Sequence, residues 1–236
     1  MPSNSIKTLK SRLKDGETLY GIFFLSFSPT LAEISGHAGY DFVVIDMEHG
    51  FGGISEALSC LRALGATQTP AILRLPENSP TWAKKLSTWA HKDSFVRASK
   101  YGIDEEYLNK FENELLIMCQ VESEEAVKRV GEISAVDGID CVMIGPLDLS
   151  ASIGCLRDPG NQKVKELMEK AEQAVLESSG PTPVPFLAGF ALPHDRPDEL
   201  KKRGYRMICG AVDVALFRTA AVDDVKKFKC QMSSAT

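Results

Sequence analysis

Short apolar runs alternate with longer amphipathic segments along most of this chain, and this alternation limits the possible folds more than any other feature. The apolar runs are rich in β-branched residues and carry few charges, as expected for strands that are covered on both faces. Repeated strand–helix units predict a parallel sheet with right-handed crossovers, and therefore an α/β fold of the TIM-type (β/α) barrel class. The predicted strands are Leu19–Ser26, Asp41–Glu48, Ala71–Leu75, Leu115–Glu122, Ile139–Ile144, Phe186–Phe190 and Arg206–Gly210. The predicted helices are Pro29–Ala38, Ile54–Leu64, Ser123–Ser134, Lys163–Leu176, Pro197–Lys202 and Val222–Phe228.

The number of predicted strands is one short of the eight in a standard barrel. The deficit lies between residues 77 and 114, where the sequence is polar, charged and mostly helical in character. Such a stretch is long for a connection in a compact α/β domain. The sequence therefore predicts a single barrel domain over residues 1–236, with about one strand–helix unit missing or replaced between residues 77 and 114.

Composition and charge exclude several classes of protein. The net charge of −5 argues against a nucleic-acid partner, and no apolar run approaches the roughly 18–20 residues that span a bilayer. The first residues lack the apolar core of a signal peptide, so we expect a cytoplasmic protein, with a processed organellar chain as the alternative. The six cysteines are scattered and form no Cys-x-x-Cys pair, which favours reduced core thiols over a metal or redox motif.

Polar and charged residues follow four of the predicted strands, at the ends where a parallel barrel carries its reactive groups. Charged groups at the ends of buried strands are unfavourable unless they are paired or bind a ligand. A cluster of four such ends therefore predicts a shared functional site, with a structural ion-pair cluster as the alternative. The strand ends are Asp46-Met47-Glu48-His49-Gly50, Arg74-Leu75-Pro76, Gln120-Val121-Glu122 and Gly145-Pro146-Leu147-Asp148.

Two carboxylates, Glu122 and Asp148, follow strands that are predicted to be neighbours. Two bare carboxylates at close range repel each other, and a hard divalent cation with oxygen ligands removes that conflict. Mg²⁺ or Mn²⁺ suits such a pair best, with Zn²⁺ or Co²⁺ possible. The other interpretation is an acid/base pair that works without metal, as in glycosidases.

The remaining strand-end residues suggest roles around such a site. Gly145 allows the backbone to approach a ligand closely, and free N–H groups in the turn that follows could hold a carboxylate. The simpler interpretation, a tight turn between strand and helix, does not explain Asp148. Arg74 can bind oxygens of a ligand and neutralise a developing enolate. His49 is the candidate general base, because histidine titrates near neutral pH.

These motifs, taken together and in this order, resemble the HpcH/HpaI aldolase family of metal-dependent pyruvate aldolases. The resemblance covers most of the chain, from Gly21-Ile22-Phe23 to the segment 210–217, and its most specific pieces are Asp46-x-Glu48-His49-Gly50, Gln120-x-Glu122 and Gly145-Pro146-x-Asp148-Leu149-Ser150. It implies a barrel of the phosphoenolpyruvate/pyruvate class. It also implies assembly into trimers or hexamers, often with the last helix swapped between partners.

The resemblance further implies an activity and a role for each matching residue. The activity is retro-aldol cleavage of 4-hydroxy-2-oxo acids to pyruvate and an aldehyde through a metal-bound enolate. Glu122 and Asp148 match the metal ligands, and Gln120 matches a residue that contacts the 2-oxo acid. Arg74 matches the arginine that stabilises the enolate, and His49 matches the catalytic base. By the same resemblance, the turn Gly145-Pro146-Leu147-Asp148 takes part in substrate binding, and Asp46 and Glu48 are carboxylates that shape the site.

The chain departs from the family where the periodicity also fails. Relatives carry a fourth strand–helix unit after the arginine strand, and an aspartate at its start orients the catalytic histidine. No matching aspartate follows Leu86, so His49 is expected to lack this partner, with His91 and Asp93 as candidate replacements. Closure with seven strands, an open barrel patched by residues 87–100, and an inactive variant are the three structural alternatives. The functional alternatives to an aldolase are a non-catalytic or impaired relative that binds metal and a 2-oxo acid, and an acyl-CoA lyase similar to citrate lyase β.

Overall fold

Strands and helices alternate along the described part of the chain, as the sequence predicts. The computed structural model of the protein describes residues 7–82, 115–156, 158–178 and 184–233. Each of the seven strands in these ranges falls within or beside a predicted apolar run. Several are shorter than predicted; β2, for example, ends at Asp46, whose side chain binds the loop that follows. The strands are β1 (Leu19–Phe24), β2 (Phe42–Asp46), β3 (Ala71–Arg74), β4 (Met118–Val121), β5 (Cys141–Ile144), β6 (Phe186–Phe190) and β7 (Tyr205–Val212).

The helices differ from the prediction in several places, among them two helices, Leu9–Lys14 and Pro146–Ser152, that are additional to the predicted ones. The segment predicted as one helix over Ser123–Ser134 is two short helices, because the backbone at Arg129 leaves the helical conformation (φ −109°, ψ 7°). The last helix is much longer than the predicted Val222–Phe228. The helices in the described ranges are α1 (Leu9–Lys14), α2 (Pro29–His37), α3 (Ile54–Ala66), α4 (Glu124–Lys128), α5 (Val130–Ser134), α6 (Pro146–Ser152), α7 (Gln162–Leu176), α8 (Pro197–Lys202) and α9 (Asp213–Ser233).

The chain divides into two compact units. The first, which we call the β1–β3 unit, comprises residues 20–85 and 211–236. Its strands are parallel in the order β3-β2-β1, and the register pairs Gly21 with Phe42 and Asp46 with Arg74. This register brings the ends of β2 and β3 side by side. Apolar side chains from the strands pack against those of α2 and α3, and Phe24 from β1 and Leu64 from α3 are fully buried.

The second unit, which we call the β4–β7 unit, comprises residues 1–19 and 86–210. Its strands are parallel in the order β4-β5-β6-β7, and Val121 pairs with Ile144 at the ends of β4 and β5. The long helix α7 supplies Val164, Met168 and Val175 to the core of this unit. Burying each such side chain stabilises the fold by about 1.5–3 kcal/mol.

The α/β class and the parallel pairing are thus confirmed. The predicted loss of a strand–helix unit falls mainly on residues 83–114, which lie outside the described residues. In the described part of the chain, no helix combines the length and the apolar character needed to cross a membrane.

Candidate active site

Asp46 organises the loop that follows β2. One oxygen of its carboxylate, Oδ1, accepts hydrogen bonds from the backbone N–H groups of Glu48 (2.9 Å) and His49 (3.0 Å). The chain therefore turns sharply at the strand end, which is why β2 stops at Asp46 instead of continuing to Glu48 as predicted. The turn directs His49 outward, and its side chain is 47% exposed.

The other oxygen of the same carboxylate, Oδ2, lies between His49 and Arg74. It is 3.3 Å from His49 Nδ1 and 3.2 Å from Arg74 Nη1, and the Asp46 side chain is only 2% exposed. Arg74 Nη1 also lies 2.9 Å from His49 Nδ1, and its Nη2 contacts a carboxylate oxygen of Glu48. The four residues that the sequence predicts around this strand end are therefore brought together within the β1–β3 unit.

Two neighbours compete for His49 Nδ1, and the tautomer of the imidazole ring decides between them. A guanidinium group only donates hydrogen bonds, so Nδ1 accepts from Arg74 when the ring proton lies on Nε2. When the ring proton lies on Nδ1, Asp46 Oδ2 can accept it. Asp46, predicted only as a carboxylate that shapes the site, thus lies within reach of the His49 ring. The predicted absence of an aspartate after Leu86 falls outside the described residues. The candidate replacements His91 and Asp93 lie outside the described residues.

A second group of predicted residues meets in the β4–β7 unit, at the ends of β4 and β5. Gln120 Nε2 donates a hydrogen bond of 2.7 Å to Glu122 Oε2, which fixes one carboxylate oxygen. The Gly145 N–H donates to the carbonyl oxygen of Val121 at 3.0 Å, so the two strand ends stay in register. A Cβ atom on Gly145 would lie 2.9 Å from Gln120 Nε2 and 3.2 Å from Glu122 Cβ. A side chain at this position would therefore press on the Gln120 amide group and on the stem of the Glu122 side chain.

The predicted turn after β5 opens helix α6. Gly145 is the residue that precedes the helix, and the buried Pro146 is its first residue. Leu147 is 45% exposed, and its carbonyl oxygen accepts a 2.6 Å hydrogen bond from the Ser150 hydroxyl. Asp148 is a half-buried carboxylate in the first turn of the helix, where the helix dipole favours negative charge.

Glu122 and Asp148 offer oxygen donors on the segments that follow two neighbouring strands. Among the described residues, no group of three or more His, Cys, Asp or Glu side chains could hold a metal ion. A catalytic Mg²⁺ or Mn²⁺ site does not need such a group, because water and substrate oxygens complete its shell. The space that Gly145 leaves beside Glu122, and the hydrogen bond that orients its carboxylate, fit a hard divalent cation of this kind.

Two residues near the β2 loop were not predicted as site residues. Asp213, at the start of α9, is 7% exposed, and its carboxylate accepts from the N–H groups of Leu25 and Ser26 at 2.9 and 3.0 Å. An aspartate at a strand–helix junction is a signal that the sequence does offer. Phe27 is 5% exposed and has φ +56°, a conformation that is rare for a bulky side chain. No sequence pattern signals that feature.

A further polar cluster, also unpredicted, lies in the β4–β7 unit beside a cavity of about 220 Å³. Arg203 pairs with Asp195 and Glu172, and the buried Tyr205 hydroxyl donates a 2.8 Å hydrogen bond to Glu172 Oε1. Burial raises the pKa of the Glu172 carboxyl, and the hydrogen bond from Tyr205 and the charge of Arg203 oppose that rise.

The six cysteines are free thiols, as expected from their spacing. Desolvation raises the pKa of the Cys60 thiol to about 11, with a smaller contribution from the charge of Asp213. Such thiols are poor nucleophiles at neutral pH.

Proteins of known function and structure resemble this chain over most of its length. A hydroxypyruvate/pyruvate aldolase from Paraburkholderia phytofirmans is 30% identical, over 87% of this chain and 91% of that protein. A 2-keto-3-deoxy-L-rhamnonate aldolase from Escherichia coli is 27% identical, over 93% and 92%. The crystal structure of a HpcH/HpaI aldolase/citrate lyase family protein from Burkholderia cenocepacia matches with a TM-score of 0.82 and 27% identity, over 94% of this chain and 98% of that one. The fold is also shared, at a TM-score of 0.52 and 15% identity over 82% and 92%, with a citrate lyase β subunit from M. tuberculosis complexed with oxaloacetate and magnesium.

Parallel strands joined by helices place the chain in the α/β class. The HpcH/HpaI aldolase/citrate lyase family profile matches residues 19–220. The chain belongs to this family, and it is a carbon–carbon lyase of the aldolase type.

Proposed function

We propose that the protein is a class II aldolase that cleaves 4-hydroxy-2-oxo acids to pyruvate and an aldehyde. The observation that carries the proposal is the pair of oxygen donors, Glu122 and Asp148, with Gln120 oriented beside the first of them. Its relatives are named as aldolases of hydroxypyruvate, pyruvate and 2-keto-3-deoxy-L-rhamnonate, which agrees with a small 2-oxo acid as the substrate.

In this proposal, the β4–β7 unit binds the 2-oxo acid. Glu122 and Asp148 would hold Mg²⁺ or Mn²⁺, with Zn²⁺ or Co²⁺ as the alternatives, and Gln120 would donate to the substrate. A divalent cation, when bound, polarises the 2-oxo carbonyl and lowers the barrier to enolate formation. The turn formed by Gly145, Pro146, Leu147 and Asp148 would orient the substrate carboxylate at the start of α6.

His49 and Arg74 would perform the proton transfer and the charge stabilisation. His49 takes the proton from the 4-hydroxyl group of the substrate as the bond between C3 and C4 breaks, which releases the aldehyde. The electron pair of that bond moves to the pyruvate fragment as an enolate, and Arg74 donates hydrogen bonds to the developing negative charge. Transfer of a proton to C3 then gives pyruvate, and the proton that His49 has taken up balances it, either directly or through water. Asp46 and Glu48 keep His49 and Arg74 in position through the contacts described above.

Pyruvate release from 4-hydroxy-2-oxopentanoate tests this proposal. Turnover should stop after treatment with EDTA and return with Mg²⁺ or Mn²⁺. Glu122→Ala and Asp148→Ala should each lower kcat/KM by at least about 1,000-fold, since each removes a proposed ligand. Glu125→Ala, an exposed carboxylate on α4 of the same unit, is the matched control and should retain the wild-type rate.

The competing functions give different results in the same experiment. Turnover that does not need metal would reject the metal-dependent mechanism. Binding of Mg²⁺ and pyruvate without turnover would indicate a non-catalytic relative. Cleavage of malyl-CoA in place of 4-hydroxy-2-oxo acids would indicate an acyl-CoA lyase similar to citrate lyase β.

We also propose that the chain forms a homo-oligomer, a trimer or a hexamer, through helix α9. Large apolar side chains on this helix remain open to solvent, with Phe217 72% and Phe228 61% exposed. They recur three residues apart, as Val214 and Phe217, and as Val222, Val225 and Phe228. Contiguous exposed apolar side chains often mark a protein interface. Phe217→Asp should lower the mass measured by light scattering, whereas Lys227→Glu on the same helix should not.

The fold similarity also supports the proposed TIM-type (β/α) barrel in a single domain. A reducing compartment such as the cytoplasm suits the free thiols.

A further inference from the structure

The loop that carries His49 lies against the aromatic ring of Phe27, within the β1–β3 unit. A Cβ atom on Gly50 would fall 2.2 Å from Phe27 Cε2, and a Cβ atom on Gly52 would fall 2.4 Å from Phe27 Cγ and Cδ1. Real Cβ atoms do not approach other atoms so closely. The ring therefore occupies the space that side chains at both loop positions would need.

Close approach, and not backbone conformation, explains the two glycines. Glycine is often required where φ is positive, because other residues are strained there. The positive-φ glycines in the described residues are Gly16, Gly39, Gly138, Gly154 and Gly204, and they include neither Gly50 nor Gly52. Gly52 is thus adapted to the Phe27 ring alone, whereas Gly50 is adapted both to the ring and to the Asp46 carbonyl oxygen, 2.4 Å from the same Cβ position.

Phe27 itself is held in an unusual conformation. Its φ of +56° is rare for a bulky side chain, and strain of this kind persists where the surrounding structure enforces it and often lies at functional sites. The enforcing contacts are present on the preceding residues, since Asp213 accepts hydrogen bonds from Leu25 N and Ser26 N. The Leu25 carbonyl oxygen in turn accepts a 3.1 Å hydrogen bond from Phe51 N, which joins the two loops.

We propose that Phe27 is a positioning residue for His49. The His49 side chain is 47% exposed, so packing around the ring contributes little to its position. Its backbone is fixed on one side by Asp46, which accepts from His49 N, and on the other side by the contact between Phe27 and the glycines that follow. The functional importance of that position rests on the proposed role of His49 as the base.

Shortening the Phe27 side chain is the direct test. Phe27→Ala removes the whole ring and leaves the glycine loop without support. Phe27→Leu replaces the ring with a smaller apolar side chain and is the milder variant, which is easier to fold. Because a displacement of about 1 Å at a catalytic group can cost about 100-fold in rate, we expect kcat to fall by about 10-fold to 100-fold. KM and Mg²⁺ affinity should change by less than about twofold, since the proposed binding residues lie on β4, β5 and α6. Phe24→Leu, a fully buried core residue of the same unit, is the control and should lower stability but leave kcat unchanged.

A second measurement does not depend on turnover. The chain has four histidines, so the imidazole signals in an NMR spectrum are few, and the His49 signal is identified by its loss in His49→Gln. We expect Phe27→Leu to shift or broaden the His49 signal and Phe24→Leu to leave it in place. If the wild-type protein shows no aldolase activity, the proposed function fails, and the NMR result still decides whether Phe27 positions His49.

A double-mutant cycle then tests the contact itself. Gly52→Ala inserts a methyl group against the Phe27 ring, so it should lower kcat and move the His49 signal. Phe27→Ala removes most of the atoms that this methyl group meets, so the effect of Gly52→Ala should be clearly smaller in the double variant. Additive effects of the two substitutions, or a His49 signal and kcat that Phe27→Leu leaves unchanged, would overturn the proposal.

Discussion

Replacing Asp46 with asparagine tests whether one buried carboxylate holds both His49 and Arg74. Its Oδ1 accepts from the N–H groups of Glu48 and His49, and its Oδ2 lies 3.2 Å from Arg74 Nη1. Asparagine keeps an oxygen for the two backbone groups but turns its NH₂ group toward Arg74. Two donors then face each other at a side chain that is 2% exposed, and a charge-assisted hydrogen bond worth about 1.5–3 kcal/mol is lost.

We expect Asp46→Asn to lower the free energy of unfolding by about 2 kcal/mol, which corresponds to a Tm about 4–8 °C lower for a chain of this size. The kcat for pyruvate release should fall by about 100-fold, because the base and the arginine both lose a fixed partner. Urea unfolding measures the first effect as a lower midpoint with an unchanged m-value. An enzyme assay coupled to pyruvate reduction measures the second.

Asp41→Asn is the matched control at the other end of β2. The Asp41 carboxylate accepts a 2.8 Å hydrogen bond from Tyr20 N, and an asparagine oxygen can still accept it. This variant should stay within about 0.5 kcal/mol of the wild type and keep its kcat. If Asp46→Asn behaves like Asp41→Asn in both assays, the assignment of Asp46 as the organiser of this strand end is refuted.

Two further substitutions test the other polar groups. In Gly145→Ala the new Cβ lies 3.2 Å from Glu122 Cβ, so Mg²⁺ affinity measured by calorimetry should fall about 10-fold. Gly131→Ala is the control, because nothing lies within 4 Å of its new Cβ, and it should leave the affinity unchanged. Equal Mg²⁺ affinities of the two variants would contradict the proposed metal site. Tyr205→Phe removes the donor to the buried Glu172 carboxylate and should lower stability by about 1–3 kcal/mol at neutral pH. The pKa of Glu172 is raised above 4.5 in the folded chain, so its contribution to stability declines as pH rises from 4.5 through the folded-state pKa. The stability lost in Tyr205→Phe should grow over the same pH range, because Tyr205 stabilises the charged carboxylate. A deficit independent of pH in urea unfolding would show that the hydrogen bond does not act on the charged form.

The strands could be predicted from the sequence because each is an almost continuous apolar run. Their ends were less predictable, because a polar residue at a strand end can either continue the strand or cap the next loop. Asp46 does the second, through two hydrogen bonds to the following N–H groups. The last helix was predicted too short. Its apolar side chains remain largely exposed and so do not follow the pattern of a helix packed on a core.

The sequence allowed us to predict which residue types lie at the strand ends, but not which of them contact each other. The contact between Asp46, His49 and Arg74 depends on the register of β2 against β3, which pairs Asp46 with Arg74 and which the sequence does not reveal. The support of the loop by Phe27 was beyond prediction for another reason. It depends on a left-handed backbone at a phenylalanine, and no residue pattern signals that conformation.

The geometry also explains why Asp46 is the partner that the proposed reaction needs. His49 Nδ1 faces Asp46 and Arg74, so Nε2 is the nitrogen that remains for the substrate. Nε2 can take a proton only if Nδ1 carries the hydrogen of the neutral ring, and Arg74, which only donates, cannot accept that hydrogen. Asp46 Oδ2, 3.3 Å away, can accept it. In the proposed reaction Arg74 must therefore direct its donors to the substrate while Asp46 accepts the hydrogen of Nδ1.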